Sequence, residues 1–183
     1  MRSAKLALPE RTWWIEKDRL LGGAYPGDLD PEIARSKLEA LLDQGVTAFL
    51  DLMESDETNH DGHSFAPYVP TAQALAAERG IELEFGRLPI VDQNIPSEDR
   101  MREILAWLDE RLARRRLCYV HCWGGKGRTG TVAGVHLIRR ELASPENFMD
   151  VIRALRGSDA RRGPAPENER QRDFVRRYPF AGP

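Results

Sequence analysis

The chain has 183 residues, 41% of them hydrophobic and 31% charged, with a formal net charge of −2. That length suits one domain, here expected to occupy residues 1–183, and the composition is that of an ordinary globular protein. The near-neutral charge gives no sign of a nucleic-acid binder, and no apolar run approaches the ~20 residues needed to cross a bilayer.

The first residues, MRSAKLALPERTWW, hold too short an apolar core for a secretory signal. TWWIEKDRLLGGAYPG reads as short strands joined by turns, in the manner of a hairpin. DPEIARSKLEALLDQG predicts a helix with Asp30 as its cap, Pro31 at its first position and Gly45 as its stop. Ile33, Leu38, Leu41 and Leu42 form its expected apolar face. VTAFLDL is an apolar run suited to a buried strand. A polar loop, MESDETNHDGHSFAPYVP, follows, and then a helix, TAQALAAERG, ending at Gly80.

IELEFGRL alternates Ile81, Leu83 and Phe85 against Glu82 and Glu84, which predicts a strand with one wet face. PIVDQNIPS is a second loop. Ser97 then caps a helix whose stripe is Met101, Ile104, Leu105, Leu108 and Leu112. LCYVH is a short apolar strand, and TGTVAGVHLI is apolar nearly all round, so it reads as a buried helix. Another helix is expected from Ser144-Pro145-Glu146 to about Gly157, then a linker rich in Arg, Pro and Gly, then a last helix around residues 167–177. Strands alternating with helices predict an α/β fold around a central, largely parallel sheet of about four to five strands. In such folds ligands bind beyond the carboxyl ends of the strands.

One of those ends carries HCWGGKGRTG, residues 121–130. Gly124, Gly125 and Gly127 let the backbone curl and turn successive N–H groups inward, which makes an anion-binding concavity. A buried helix starting near Thr129 aims its positive end at the same spot. Arg128 adds a planar fork matched to two phosphate oxygens. Cys122 lies in the floor of this positive field, which favours its thiolate over the free thiol of pKa ~8.5. A thiolate under a phosphate cradle can attack the phosphorus atom. A disulfide to Cys118 is not expected, because an extended strand would hold the two roughly 13 Å apart and a disulfide needs Cα atoms within about 7 Å. A reducing cytoplasm is therefore the expected compartment.

Other Gly-rich readings fit less well. A nucleotide P-loop needs Gly-Lys-Ser/Thr, but Lys126 is followed by Gly127. A dinucleotide match at Gly125, Gly127 and Gly130 lacks a well-placed acid further on. A redox or sulfur-transfer thiol and a non-catalytic phosphate-binding module remain as competitors.

His121, Cys122, the five residues WGGKG, Arg128 and Thr129 resemble the His-Cys-five residues-Arg-Ser/Thr pattern of the cysteine-dependent protein tyrosine/dual-specificity phosphatases. The similarity covers about residues 13–178 and is greatest to bacterial dual-specificity-type members. It implies that Cys122 is the nucleophile of a phosphocysteine mechanism and that Arg128 binds the phosphoryl group. The N–H groups of Trp123, Gly124, Gly125, Lys126, Gly127 and Arg128 complete the cradle in that family. Thr129 would hydrogen-bond the sulfur and ease its departure, and His121 would orient and support the thiolate. The resemblance implies no metal and no other cofactor. It also implies phosphate, sulfate or vanadate as ligands of the loop.

Such a mechanism needs a carboxylic acid to protonate the leaving group. Asp92, between Pro89 and Pro96, fits the family's acid loop, with Asp56 and Glu57 as competitors in the other loop. Lys126 resembles the phosphoinositide-phosphatase branch, or else points to solvent. Trp123 lines the pocket or packs beneath the loop. Gln171 is the expected water-positioning residue, while the first glutamine position of that family segment holds Glu167. His60 and His63 lack further ligands at metal spacing, so they read as a pocket lip rather than a zinc site. The arginines at 153, 156, 161, 162, 170, 172, 176 and 177 form a basic end with acids mixed in, expected to be a solvated surface.

The expected substrates are phosphorylated proteins. Phosphoinositides or inositol phosphates are the first alternative, and 5′-phosphorylated RNA is a more distant one. Neither stable nucleic-acid binding nor membrane insertion is expected.

Overall fold

The structure, a computed structural model, describes residues 7–180. The ends of the expected 1–183 domain, including the start of the N-terminal stretch, lie outside them. β1 (Thr12–Glu16) and β2 (Leu20–Gly23) form the expected hairpin, turned through Asp18 at a φ of 58°. β3 (Val46–Asp51), β4 (Glu84–Arg87) and β5 (Leu117–His121) add three more strands in the order β1-β2-β5-β3-β4. Every pairing except β1–β2 is parallel, as the alternation of strands and helices predicted. β5 is central, so the chain leaving it emerges in the middle of the sheet's carboxyl edge.

Pleat alternation divides the core in two. On one face Cys118 and Val120 of β5 join Ala48 and Leu50, covered by α3 (Glu98–Ala113), α4 (Gly127–Arg139), α5 (Phe148–Arg156) and α6 (Glu169–Arg177). On the other, Tyr119, Phe49 and Leu21 pack under α1 (Pro31–Asp43) and α2 (Val69–Glu78). α3 forms as its pattern requires. Ser97 Oγ accepts from Arg100 N at 3.0 Å, and all five stripe residues are buried. Each such side chain contributes about 1.5–3 kcal/mol relative to leaving it exposed.

Several local expectations are corrected. In α1 the buried stripe is Ala34, Leu38, Leu41 and Leu42, and Ile33 is 46% exposed. Ile33 lies one residue, about 100° of helix, off Ala34 and so falls on the stripe's flank. The strand expected from Ile81 pairs only over Glu84–Arg87, and the wet face is not wet at Glu84. Its carboxylate is ion-paired with Arg111, Arg114 and Arg116 at 3.0, 2.9 and 2.6 Å. α4 begins at Gly127, two residues before its expected start. α5 starts at Phe148 rather than Ser144, because Ser144 is spent in a turn, where its N–H donates to Asn147 Oδ1 at 2.8 Å. The linker after α5 forms a short 3-10 helix, Gly157–Arg162. Arg156 leaves the expected basic surface altogether. It is buried, donating to Asp159 Oδ2 and to the Gly163 carbonyl.

Candidate functional site

β5 ends at His121, and the chain then crosses from one face of the sheet to the other. His121 follows Tyr119 onto the α1/α2 face, with the two rings stacked 5.7 Å apart, while Cys122 belongs to the opposite cluster. Burial holds the His121 pKa below its ordinary value and the Tyr68 pKa well above its own. The phenol therefore stays protonated, and its oxygen is hydrogen-bonded to Nε2 of a neutral ring at 2.8 Å. The other ring nitrogen, Nδ1, lies 3.8 Å from Asp51 Oδ1. The imidazole thus faces Tyr68 and Asp51, and His121 meets the sulfur only through the main chain.

From Cys122 the chain curls around a cleft of about 250 Å³. Gly125 has a φ of +71°, and a Cβ there would stand 2.6 Å from the Gly23 carbonyl carbon. Both facts require glycine, since the loop must lie directly on the end of β2. Gly127 is crowded only by side-chain ends, as its Cβ would meet Gln171 and Glu167 at about 3 Å. No acceptor among the described residues meets any N–H from Trp123 to Thr129, and α4 has no side-chain cap. Inward N–H groups at a helix start favour an anion in the cleft they line.

Thr129 Oγ1 lies 3.1 Å from Cys122 Sγ and 3.2 Å from the Gly23 carbonyl, so its one proton can serve either. Both cysteines are free and buried. Arg128 is almost fully buried. It donates through both terminal nitrogens to Glu57, at 2.7 Å each, and to the Ile90 carbonyl at 3.1 Å. Asp92 Oδ1 stands 2.9 Å from the same guanidinium. Burial works against the charge on Arg128, but Glu57, Cys122 and Asp92 together more than offset it and hold the pKa above its ordinary value.

Of the residues singled out in the sequence, Cys122, Trp123, Gly124, Lys126, Gly127, Arg128 and Asp92 line the cleft, together with Glu167. Lys126 sits at the rim, its ammonium donating to the Arg162 carbonyl at 3.3 Å. Trp123 is both pocket wall and packing surface, with His60 4.4 Å and Phe65 5.5 Å from its ring. His60 forms the lip that the sequence suggested.

Gln171 does not line the cleft. Its Oε1 accepts from Glu167 N at 3.1 Å, and its Nε2 donates to the Asn94 carbonyl at 3.3 Å. With Asn168, which donates to the Gln93 carbonyl at 2.9 Å, it ties the start of α6 to the loop carrying Asp92. Glu57, weighed only as an acid, is the clamp of Arg128. Asp51 and Tyr68 were missed, although an aspartate ending the apolar run VTAFLD was a legible oddity.

A thiol beneath partnerless N–H groups and beside a clamped arginine is built to hold an anion and attack it, which is the arrangement of cysteine-dependent phosphatases. The family model for the Swiss Army Knife protein DSP-PTPase phosphatase domain (PTP-SAK) matches residues 9–171, and the chain belongs to that family. It is similar to human cyclin-dependent kinase inhibitor 3, at 38% identity over 73 residues, 39% of this chain and 34% of the relative. The pig protein of that name is 37% identical over 73 residues. The match thus spans about a third of the length of these curated relatives.

Among solved structures, kinase associated phosphatase (KAP) with its catalytic cysteine replaced by serine superposes with a TM-score of 0.68 and 20% identity, over 94% of each chain. PTPMT1 in complex with PI(5)P gives 0.64 and 18%, over 92% of this chain and 94% of that one. Pseudomonas aeruginosa TpbA with pTyr gives 0.61 and 14%, over 90% and 82%. At such identities the likeness concerns the fold.

Proposed function

We propose that the protein hydrolyses phosphomonoesters of tyrosine, serine or threonine in proteins through a phosphocysteine on Cys122. The observation that carries this reading is the convergence on one cleft of Cys122 Sγ, the Thr129 hydroxyl 3.1 Å from it, and Arg128. The phosphoryl oxygens accept from the Trp123–Thr129 amides and from Arg128, and Sγ attacks phosphorus in line with the leaving oxygen. The incoming dianion competes with Asp92 for the guanidinium. Freed from the guanidinium, the Asp92 carboxylate takes up a proton from solvent and gives it to the leaving oxygen as the P–O bond breaks. In the second step Asp92 takes a proton from water as that water attacks phosphorus. The S–P bond breaks, and Thr129 donates to the departing thiolate.

Charge at the rim supports a protein over a phosphoinositide substrate. Lys126 has its ammonium on a backbone carbonyl. Glu167 places in the same cleft a carboxylate that no described cation pairs. A second phosphate would meet that carboxylate unfavourably.

The test is turnover of phosphotyrosine, phosphoserine and phosphothreonine peptides, phosphoinositides, inositol polyphosphates and 5′-triphosphorylated RNA, with Cys122→Ser as control. The variant is expected to lose activity by a factor of about 10³ or more. Equal turnover by variant and parent overturns the mechanism, and faster turnover of inositides than of peptides overturns the substrate class.

A further inference from the structure

A second concavity adjoins the phosphate cleft. It measures about 510 Å³ against about 250 Å³, and the two share a wall made of Arg11 and Trp123. That wall is fixed at both ends. The Arg11 carbonyl accepts from Ala24 N at 3.1 Å, and the Trp123 carbonyl accepts from Tyr25 N at 3.0 Å. The floor and far side come from the segment between β2 and α1, and from the loop before α2. Leu29 and Ile33 stand at its edge, 74% and 46% exposed. Neither is needed for the core, since α1 buries Ala34, Leu38, Leu41 and Leu42 instead. Asp30 holds this edge in place by accepting from Glu32 N at 2.9 Å as the helix cap.

Resting on the protein-phosphatase reading above, we infer that this groove receives the polypeptide flanking the phosphorylated residue, with an apolar side chain of the substrate seated against Leu29, Ile33 and Phe65. A volume of about 510 Å³ lies within the ~300–1,000 Å³ range of sites that hold a molecule of several residues' size. Continuity through Arg11 and Trp123 means that a chain whose phosphate lies over Cys122 passes directly into the groove. The lining decides between a peptide and a lipid tail. Glu10, Arg11 and the part-exposed Asp28–Lys37 ion pair interrupt the apolar surface. An acyl chain would strip water from these groups and offer nothing in return, whereas a polypeptide brings N–H and C=O groups to meet them.

The experiment compares kcat/KM for a phosphotyrosine peptide with leucines around the phosphoresidue, the same peptide with serines there, and p-nitrophenyl phosphate, in the parent and in Ile33→Asp. The parent is expected to favour the leucine peptide. Ile33→Asp should lower that peptide's kcat/KM about tenfold, and leave p-nitrophenyl phosphate within about twofold as proof of an intact fold and cleft. Leu29→Ala should fall between the two. Equal effects on all three substrates, or no preference for leucine in the parent, overturn the groove and leave the proposed reaction standing. In a fourth arm, vesicles of phosphatidylinositol phosphate are offered to the parent and to Ile33→Asp, and a loss confined to them overturns the occupant. A parent that cleaves p-nitrophenyl phosphate and no phosphopeptide overturns the protein-phosphatase reading itself, and the occupant with it.

Discussion

Glu84 and Arg128 each stand at the centre of a cluster of mixed charge. Around Glu84 three arginines gather at 2.6–3.0 Å, and one of them, Arg111, also covers the Trp107 ring at 4.0 Å. The cluster is part-exposed, and it joins β4 to the end of α3. Around Arg128 the pairing is uneven. Glu57 is 9% exposed and holds both terminal nitrogens, while Asp92 is 41% exposed and touches one. Beside them runs the row of amides from Trp123 to Thr129, from which no described residue accepts. Ion pairs that satisfy one another serve structure. A cluster that leaves donors over, and carries one acid exposed at its edge, is arranged for a ligand.

The comparison breaks most sharply at Asp92. Asp92→Asn is expected to slow substrates with poor leaving groups by about 10²–10⁴-fold, and activated esters far less. Equal rates on both kinds of substrate would move the acid to another residue. At Glu57 a smaller and mixed effect is expected. Glu57→Gln should lower turnover about tenfold by loosening the fork of Arg128, and stability by about 1–3 kcal/mol, read as kcat/KM and a urea midpoint.

The third effect concerns pH. Burial holds His121 and His136 below the ordinary value of 6.5, so near and below that pH the unfolded chain binds protons that the folded one refuses. Stability is full above 6.5 and is lost as pH falls from there towards the folded values. His136→Gln should flatten that decline in denaturation midpoints taken from pH ~7.5 to ~5.5. A parent that grows more stable on acidification contradicts the assignment. The smallest effect belongs to the other cluster. Glu84→Gln should change stability by no more than about 1 kcal/mol and leave turnover unchanged, because each of its arginines keeps a second acidic partner, Glu110 or Glu82.

Much of the fold was legible because its signals are local. Asp30 and Ser97 cap the helices they were expected to cap, and the α3 stripe is buried residue for residue. The failures share one cause. Ile33 lies at the flank of a face, where only the neighbouring elements decide what is covered. Ser144 and Glu84 found partners that outcompeted the local pattern.

By itself the sequence determined the alternating α/β order and the glycine-lined turn after β5. It also determined the pairing of a thiol with an arginine and a hydroxyl across that turn. These depend on residue types at short spacing, which the chain cannot hide. Only the tertiary structure decided that Glu57 clamps Arg128 from 71 positions away, and that Gln171 braces the Asp92 loop rather than facing the cleft. It alone decided that His121 turns to Tyr68, and that a groove opens beside Trp123. Those outcomes rest on which loops meet above the sheet. Spacing along the chain carries no information about that meeting, because side-chain pairing across loops follows from the packing of the elements that carry them.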